Sequence, residues 1–279
     1  MNEKIQQEND IVTIEGIAVK DLCEELKKIT EEKELGRMYL TICACTLEVI
    51  EKCLGENYDF PMDVEKIATE LGAQIVYQPL NRILDAEDVQ RHRVVGRNLK
   101  RINRITKQQI SNILIDSESG RNEQRYALTH ELAHFMIHYN ENLYNNAYCI
   151  MPMLFKNMEE MVADIFATLM LIPVPIFLNE FMGYIGEQPL PVETSGWLKY
   201  LSIVAEVPYE YVAIGYQNIR YVCGILYDIK MKRSVKDVEN YEEDSEKYTK
   251  DENMNSVIKK WTDRLLMCLT DEVINKLFG

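Results

Sequence analysis

The sequence predicts an α+β fold: a mainly helical core carrying a small antiparallel sheet, extended by helices at both ends. Three observations carry that expectation. Long stretches on both sides of residue 110 repeat their apolar residues at helical spacing. Between residues 73 and 115, short β-branched runs are separated by turn residues. The chain has 279 residues, 47% of them apolar, enough for one sizeable core and a small accessory unit.

Taken in order, residues 1–57 read as a helical extension, with helices over Leu22–Lys28 and Met38–Leu54. Asp63 is placed to cap a helix running through Leu71, and Gly72 stops it. Ala73–Tyr77 is a strand candidate. Arg93–Ile105 supplies one or two more with Gly96 as a bend, and Ile113–Ile115 another. A helix then spans residues 125–138. A second, apolar helix begins near Met158 and is ended by Pro173 and Pro175. The region after Pro191 reads as helical again, and Asn255–Phe278 reads as one amphipathic helix with apolar residues from Val257 to Leu277. The expected units are 1–57, 58–182, 183–230 and 231–279, the last being an acidic linker plus that helix.

Composition excludes several functions. A formal charge of −14 argues against general attraction to nucleic acid, so no direct nucleic-acid partner is expected. The polar N-terminus lacks the apolar segment of a secretory signal. The most hydrophobic stretch, residues 161–178, is interrupted by Asp164 and two prolines, so no membrane span is expected. Seven cysteines without a CxxC pair fit reduced thiols in a cytoplasmic protein, with Cys43, Cys45 and Cys53 as core filler. Charge is uneven: residues 236–252 are acidic, while Arg91, Arg93, Arg97, Lys100, Arg101, Arg104 and Lys107 form a basic segment. That segment reads either as an exposed hairpin face or as a dock for something acidic.

The chemistry concentrates at His130-Glu131-Leu132-Ala133-His134. Chance would produce such an HExxH about 0.005 times in a chain of this composition. Residues i and i+4 of a helix lie about 40° apart, one turn above each other, so both imidazoles can reach one metal ion. Glu131 then projects to one side as a candidate general base. Leu128, Leu132, Phe135 and Tyr139 form a separate apolar stripe beside the histidine stripe. His138 continues the histidine stripe, but about 12 Å of helix separates i from i+8, which makes it a supporting residue and not a third ligand. The pattern HExxHxxGxxH fails, with Ile137 and Asn140 at its later positions. Glu160 and Asp164, again i and i+4, are the better source of a third ligand. A carboxylate at Asp164, in so apolar a helix, needs a partner, and the free N–H of a metal-binding imidazole would satisfy it.

These two stretches, Arg125–His138 and Glu160–Pro173, resemble the ImmA/IrrE family of gluzincin-like metallo-endopeptidases. The segment Phe60–Gly72 is similar to the helix that precedes that family's first strand. The likeness covers roughly residues 58–220 and departs at Ala133, where glycine is usual, and at Asp164, where asparagine is common. It implies a zincin-like metallopeptidase core over 58–182 and a helix-turn-helix-like subdomain over 183–230, whose second helix has few cations for reading DNA. It further implies one Zn²⁺ on His130, His134 and Glu160 (Mn²⁺ being compatible with the same donors), Glu131 as base, and Asp164 and His138 in support. An edge strand beside the metal would hold substrate as an added strand. The implied substrate is a regulatory protein, a helix-turn-helix transcriptional repressor. The alternative is a non-catalytic, metal-stabilised protein that sequesters a transcription regulator. A second donor for the oxyanion is sought among Tyr126, His138, Tyr144 and Tyr148, with no order among them.

Overall fold

The computed structural model describes residues 19–31, 34–83, 93–102, 109–138, 144–145, 149–151, 158–185, 194–236 and 252–278. The acidic run beyond residue 236, Tyr148, and Arg91, Arg104 and Lys107 of the basic segment lie outside them.

Helices α1 (Val19–Ile29) and α2 (Leu35–Leu54) open the chain, and α2 is buried along most of its length. Helix α3 (Val64–Glu70) starts where expected: the Asp63 carboxylate accepts the Lys66 N–H at 2.9 Å, and Gly72 turns the chain away at φ 83°. Strand β1 (Gln74–Gln78), the short helix α4 (Leu80–Ile83), β2 (Arg93–Ile102) and β3 (Gln109–Asp116) follow. Then come α5 (Arg121–Ile137), the short strands β4 (Tyr144–Asn145) and β5 (Cys149–Met151), and α6 (Met158–Leu171). The remaining helices are α7 (Val174–Ile185), α8 (Thr194–Ala205), α9 (Tyr209–Lys236), α10 (Glu252–Cys268) and α11 (Asp271–Phe278).

The α+β class, mainly helical, is as the sequence predicts, but the sheet is mixed. Its order is β1-β3-β2-β4, with β5 also on β2. β2 and β3 pair antiparallel from Gly96↔Ile115 to Ile102↔Gln109, whereas β1 lies parallel to β3, Gln74 opposite Asn112. The reason is in the connection. After β1 the chain enters α4 instead of turning straight back, and the long path to β3 allows the crossover a parallel pair needs. The outer edge of β2 is held by the chain's own β4 and β5, at Lys100↔Tyr144 and Val94↔Ile150.

Helix α5 lies on this sheet, with α6 packed against its other side and α2 beyond. It is therefore buried on every face from Tyr126 to Ile137, and the predicted polar stripe looks inward, not toward water. Strand β2 reaches it closely because residue 96 is glycine. A Cβ there would stand 3.0 Å from Glu131 Cγ and 3.2 Å from Ala127 Cβ.

Two further differences concern proline and the C-terminus. Pro173 separates α6 from α7, but Pro175 sits in the first turn of α7, where a missing N–H costs nothing. Among the described residues no single helix is long and apolar enough to cross a membrane, and the apolar pair α6–α7 bends by 53°. The predicted single helix over 255–278 is two helices, because α10 ends at Cys268 and the Thr270 hydroxyl accepts the Val273 N–H as α11 begins. Helix α9 runs unbroken across position 230, where a unit boundary was expected. Buried residues of the first helices, of α5 and α6 and of the last two helices belong to one continuous apolar cluster.

Candidate metal centre

Local interactions fix α5 before any chemistry is considered. The Glu123 carboxylate accepts the Gly120 N–H at the helix start, and Gln124 donates to the Asp116 carbonyl. From the sheet, the buried Asn98 amide donates to the Glu131 carbonyl at 3.0 Å. Asn98 and Gly96 are two apart on β2 and so share its α5-facing side.

The two imidazoles of α5 meet the first turns of α6. His130 Nε2 and His134 Nε2 stand 3.2 Å apart. The Glu160 carboxylate straddles them, Oε2 lying 3.4 Å from His130 Nε2 and Oε1 3.5 Å from His134 Nε2. One ligand atom from each residue lies within 4.8 Å of the others. Four N/O ligands held tetrahedrally at the usual zinc distances are separated by about 3.3 Å, so these nearest spacings fit such an ion. Both histidines are 1% exposed, whereas the Glu160 side chain is 26% exposed, which puts the open side of the group at the carboxylate.

Asp164, one turn beyond Glu160, lies 2.9 Å from His130 Nδ1. A carboxylate accepts only, so Nδ1 carries the hydrogen, and Nε2 is the atom that would meet a metal once its own proton is displaced. The donor set thus fits a divalent metal both in spacing and in tautomer. Burial by itself would lower the His130 pKa. Hydrogen bonds to Asp164 and Glu160, with the nearby Glu131 charge, outweigh it and raise the metal-free value from 6.5 to about 10. Burial would likewise raise Glu160, but the two imidazoles hold it well below the usual carboxylate range.

Of the remaining candidates, Glu131 is fully buried on α5, with its Cγ against Gly96 of β2. His138 stacks 6.2 Å from His134 and faces Glu159 at 3.5 Å. Tyr126 is removed from the set of oxyanion donors: its hydroxyl is buried and donates to Asp164 Oδ1 at 2.9 Å. Its position four residues before His130, on the same helix face, was a signal available in the sequence. The roles of Gly96 and Asn98 were not legible without the sheet.

A His-His-Glu group shared by two packed helices, one of them an HExxH helix resting on a sheet, defines a metallopeptidase-type domain. The chain belongs to the Peptidase_M78 family: the model for its IrrE N-terminal-like domain matches residues 68–213, more than half of the chain. No curated protein matches it.

Proposed function

We propose that the protein is a cytosolic zinc endopeptidase that cuts a regulatory protein, a helix-turn-helix transcriptional repressor being the substrate class. The carrying observation is the convergence of His130, His134 and Glu160, with Asp164 setting the His130 tautomer and Glu131 on the same helix. A bound divalent ion would supply the Lewis acidity that brings the pKa of water from about 15.7 toward about 7. Glu131 accepts the proton of the attacking water on its carboxylate and returns it to the leaving amine nitrogen, so the base is regenerated as the C–N bond breaks. Asp164 holds the His130 ring through Nδ1. Support for the substrate class comes from the family resemblance, and support for zinc from the N/O donor set and its spacing.

Glu131→Gln keeps the shape of the side chain and removes the base. The expected result is retained metal with loss of cleavage, read as neo-N-termini in cells carrying the wild type and missing in cells carrying the variant. Equal cleavage by both proteins rejects Glu131 as the base. Retained partner binding with no cleavage by either protein would favour the sequestering alternative.

A further inference from the structure

We infer that Tyr126 is a positioning residue for the metal ligand His130, acting through Asp164 and clamped by Tyr211 of helix α9. The inference rests on the reading that His130, His134 and Glu160 hold a metal.

Asp164 Oδ1 receives two hydrogens, one from Tyr126 Oη and one from His130 Nδ1, each at 2.9 Å. Two donors on one oxygen fix where that oxygen sits, so the carboxylate cannot rotate away from the imidazole without breaking the tyrosine bond. All three residues are buried, Tyr126 and His130 at 1% and Asp164 at 4%, so water is a poor substitute for either donor. Tyr126 is itself held from the far side. Its ring stacks on Tyr211 with centroids 3.7 Å apart and planes 21° from parallel. Tyr211 is 5% exposed and stands at the start of α9, outside both motif helices.

Helix α9 is not free to drift relative to the centre. Asn218 donates to the Thr168 hydroxyl at 2.9 Å and accepts from the Tyr39 hydroxyl at 3.1 Å. Gly215 lets α9 approach so closely that a Cβ would lie 3.3 Å from Thr168 Cβ. Thr168 lies one turn beyond Asp164 on α6. The same helix therefore fixes the tyrosine that grips Asp164 and the segment of α6 that carries Asp164. Helix α9 is thereby built into the ligand's support.

The test measures Zn²⁺ affinity by competition with a chromophoric chelator, and the visible absorption of Co²⁺ placed at the site, in four full-length proteins. Wild type is measured first: if it binds neither ion, the metal reading itself fails. Tyr126→Phe keeps the ring and the stack and deletes the hydroxyl; loss of such outer support costs about tenfold or more in metal affinity, and the Co²⁺ bands shift with the altered ring geometry. Tyr211→Leu loosens the stack but leaves the hydroxyl, and its expected effect has the same direction and a smaller size. Tyr211→Phe preserves the stack and should match wild type. Thermal unfolding without metal identifies any variant that does not fold. Wild-type affinity and spectrum in folded Tyr126→Phe overturn the inference. Should that variant not fold, the same result in Tyr211→Leu overturns it.

Discussion

The metal centre and the clamp that fastens α10 to α2 are both built on carboxylates at helix–helix contacts, and they differ in what faces those carboxylates. In the clamp, Lys260 reaches Glu48 at 2.9 Å and Glu51 at 2.7 Å, Arg264 pairs with Glu51, and the Trp261 N–H donates to Glu48 at 2.8 Å. Burial alone would raise the Glu51 pKa, but hydrogen bonds from Lys260 and Arg264 lower it. At the centre, Glu160 is lowered by His130 and His134, side chains that are cationic only when protonated. Fixed charges close the clamp permanently. Imidazoles would let the candidate centre exchange a proton for a metal ion, as the fixed charges of the clamp cannot.

Removing a carboxylate from each cluster separates the two roles most sharply. Glu160→Ala should lower Zn²⁺ affinity by more than about 100-fold, beyond what loss of an outer-shell partner costs. Glu51→Ala should leave that affinity unchanged and cost at most about 1 kcal/mol of stability, since its partners are partly exposed. Chelator competition and thermal unfolding on both variants would expose the contrast as wrong if the effects were interchanged.

The titration of the centre gives the next largest effect. In the metal-free protein His130 is raised from 6.5 to about 10, so its protonated form stabilises the fold fully below pH 6.5 and loses that contribution as pH rises toward 10. Metal and proton compete for the same group. Affinity should therefore climb by about tenfold per pH unit between those values, with a proton released on binding. Calorimetry in buffers of different ionisation enthalpy reads that proton directly, and an affinity flat across the window contradicts its displacement.

Within the clamp, Glu48→Ala strands the Trp261 N–H and one Lys260 contact at a buried position. The expected loss is about 1–3 kcal/mol in unfolding free energy, with Zn²⁺ affinity unaltered. Denaturant unfolding measures the first, and a change in the second would mean that the two regions are coupled.

What the sequence displayed, and what it concealed, follows from the range of the interactions. His130, Glu131 and His134 announce themselves because one helix turn brings them together. Glu160 and Asp164 are visible because two acids at i and i+4 sit in an otherwise apolar helix. Local spacing, however, does not say which imidazole Asp164 takes, and the fold assigns it to His130. The parallel β1–β3 pair and the Tyr126–Tyr211 stack depend on residues far apart in the chain, and neither leaves a periodic trace. The break between α10 and α11 was hidden for the opposite reason: Leu265, Leu269, Val273 and Leu277 keep helical spacing across it, so the apolar stripe continues while the backbone does not.

The most direct test is a crystal structure of the zinc-loaded protein with anomalous data at the zinc edge. A single ion about 2.0–2.2 Å from His130 Nε2, His134 Nε2 and a Glu160 oxygen is the predicted result. An ion bound elsewhere, or a Glu160 carboxylate turned away from both rings, would contradict it.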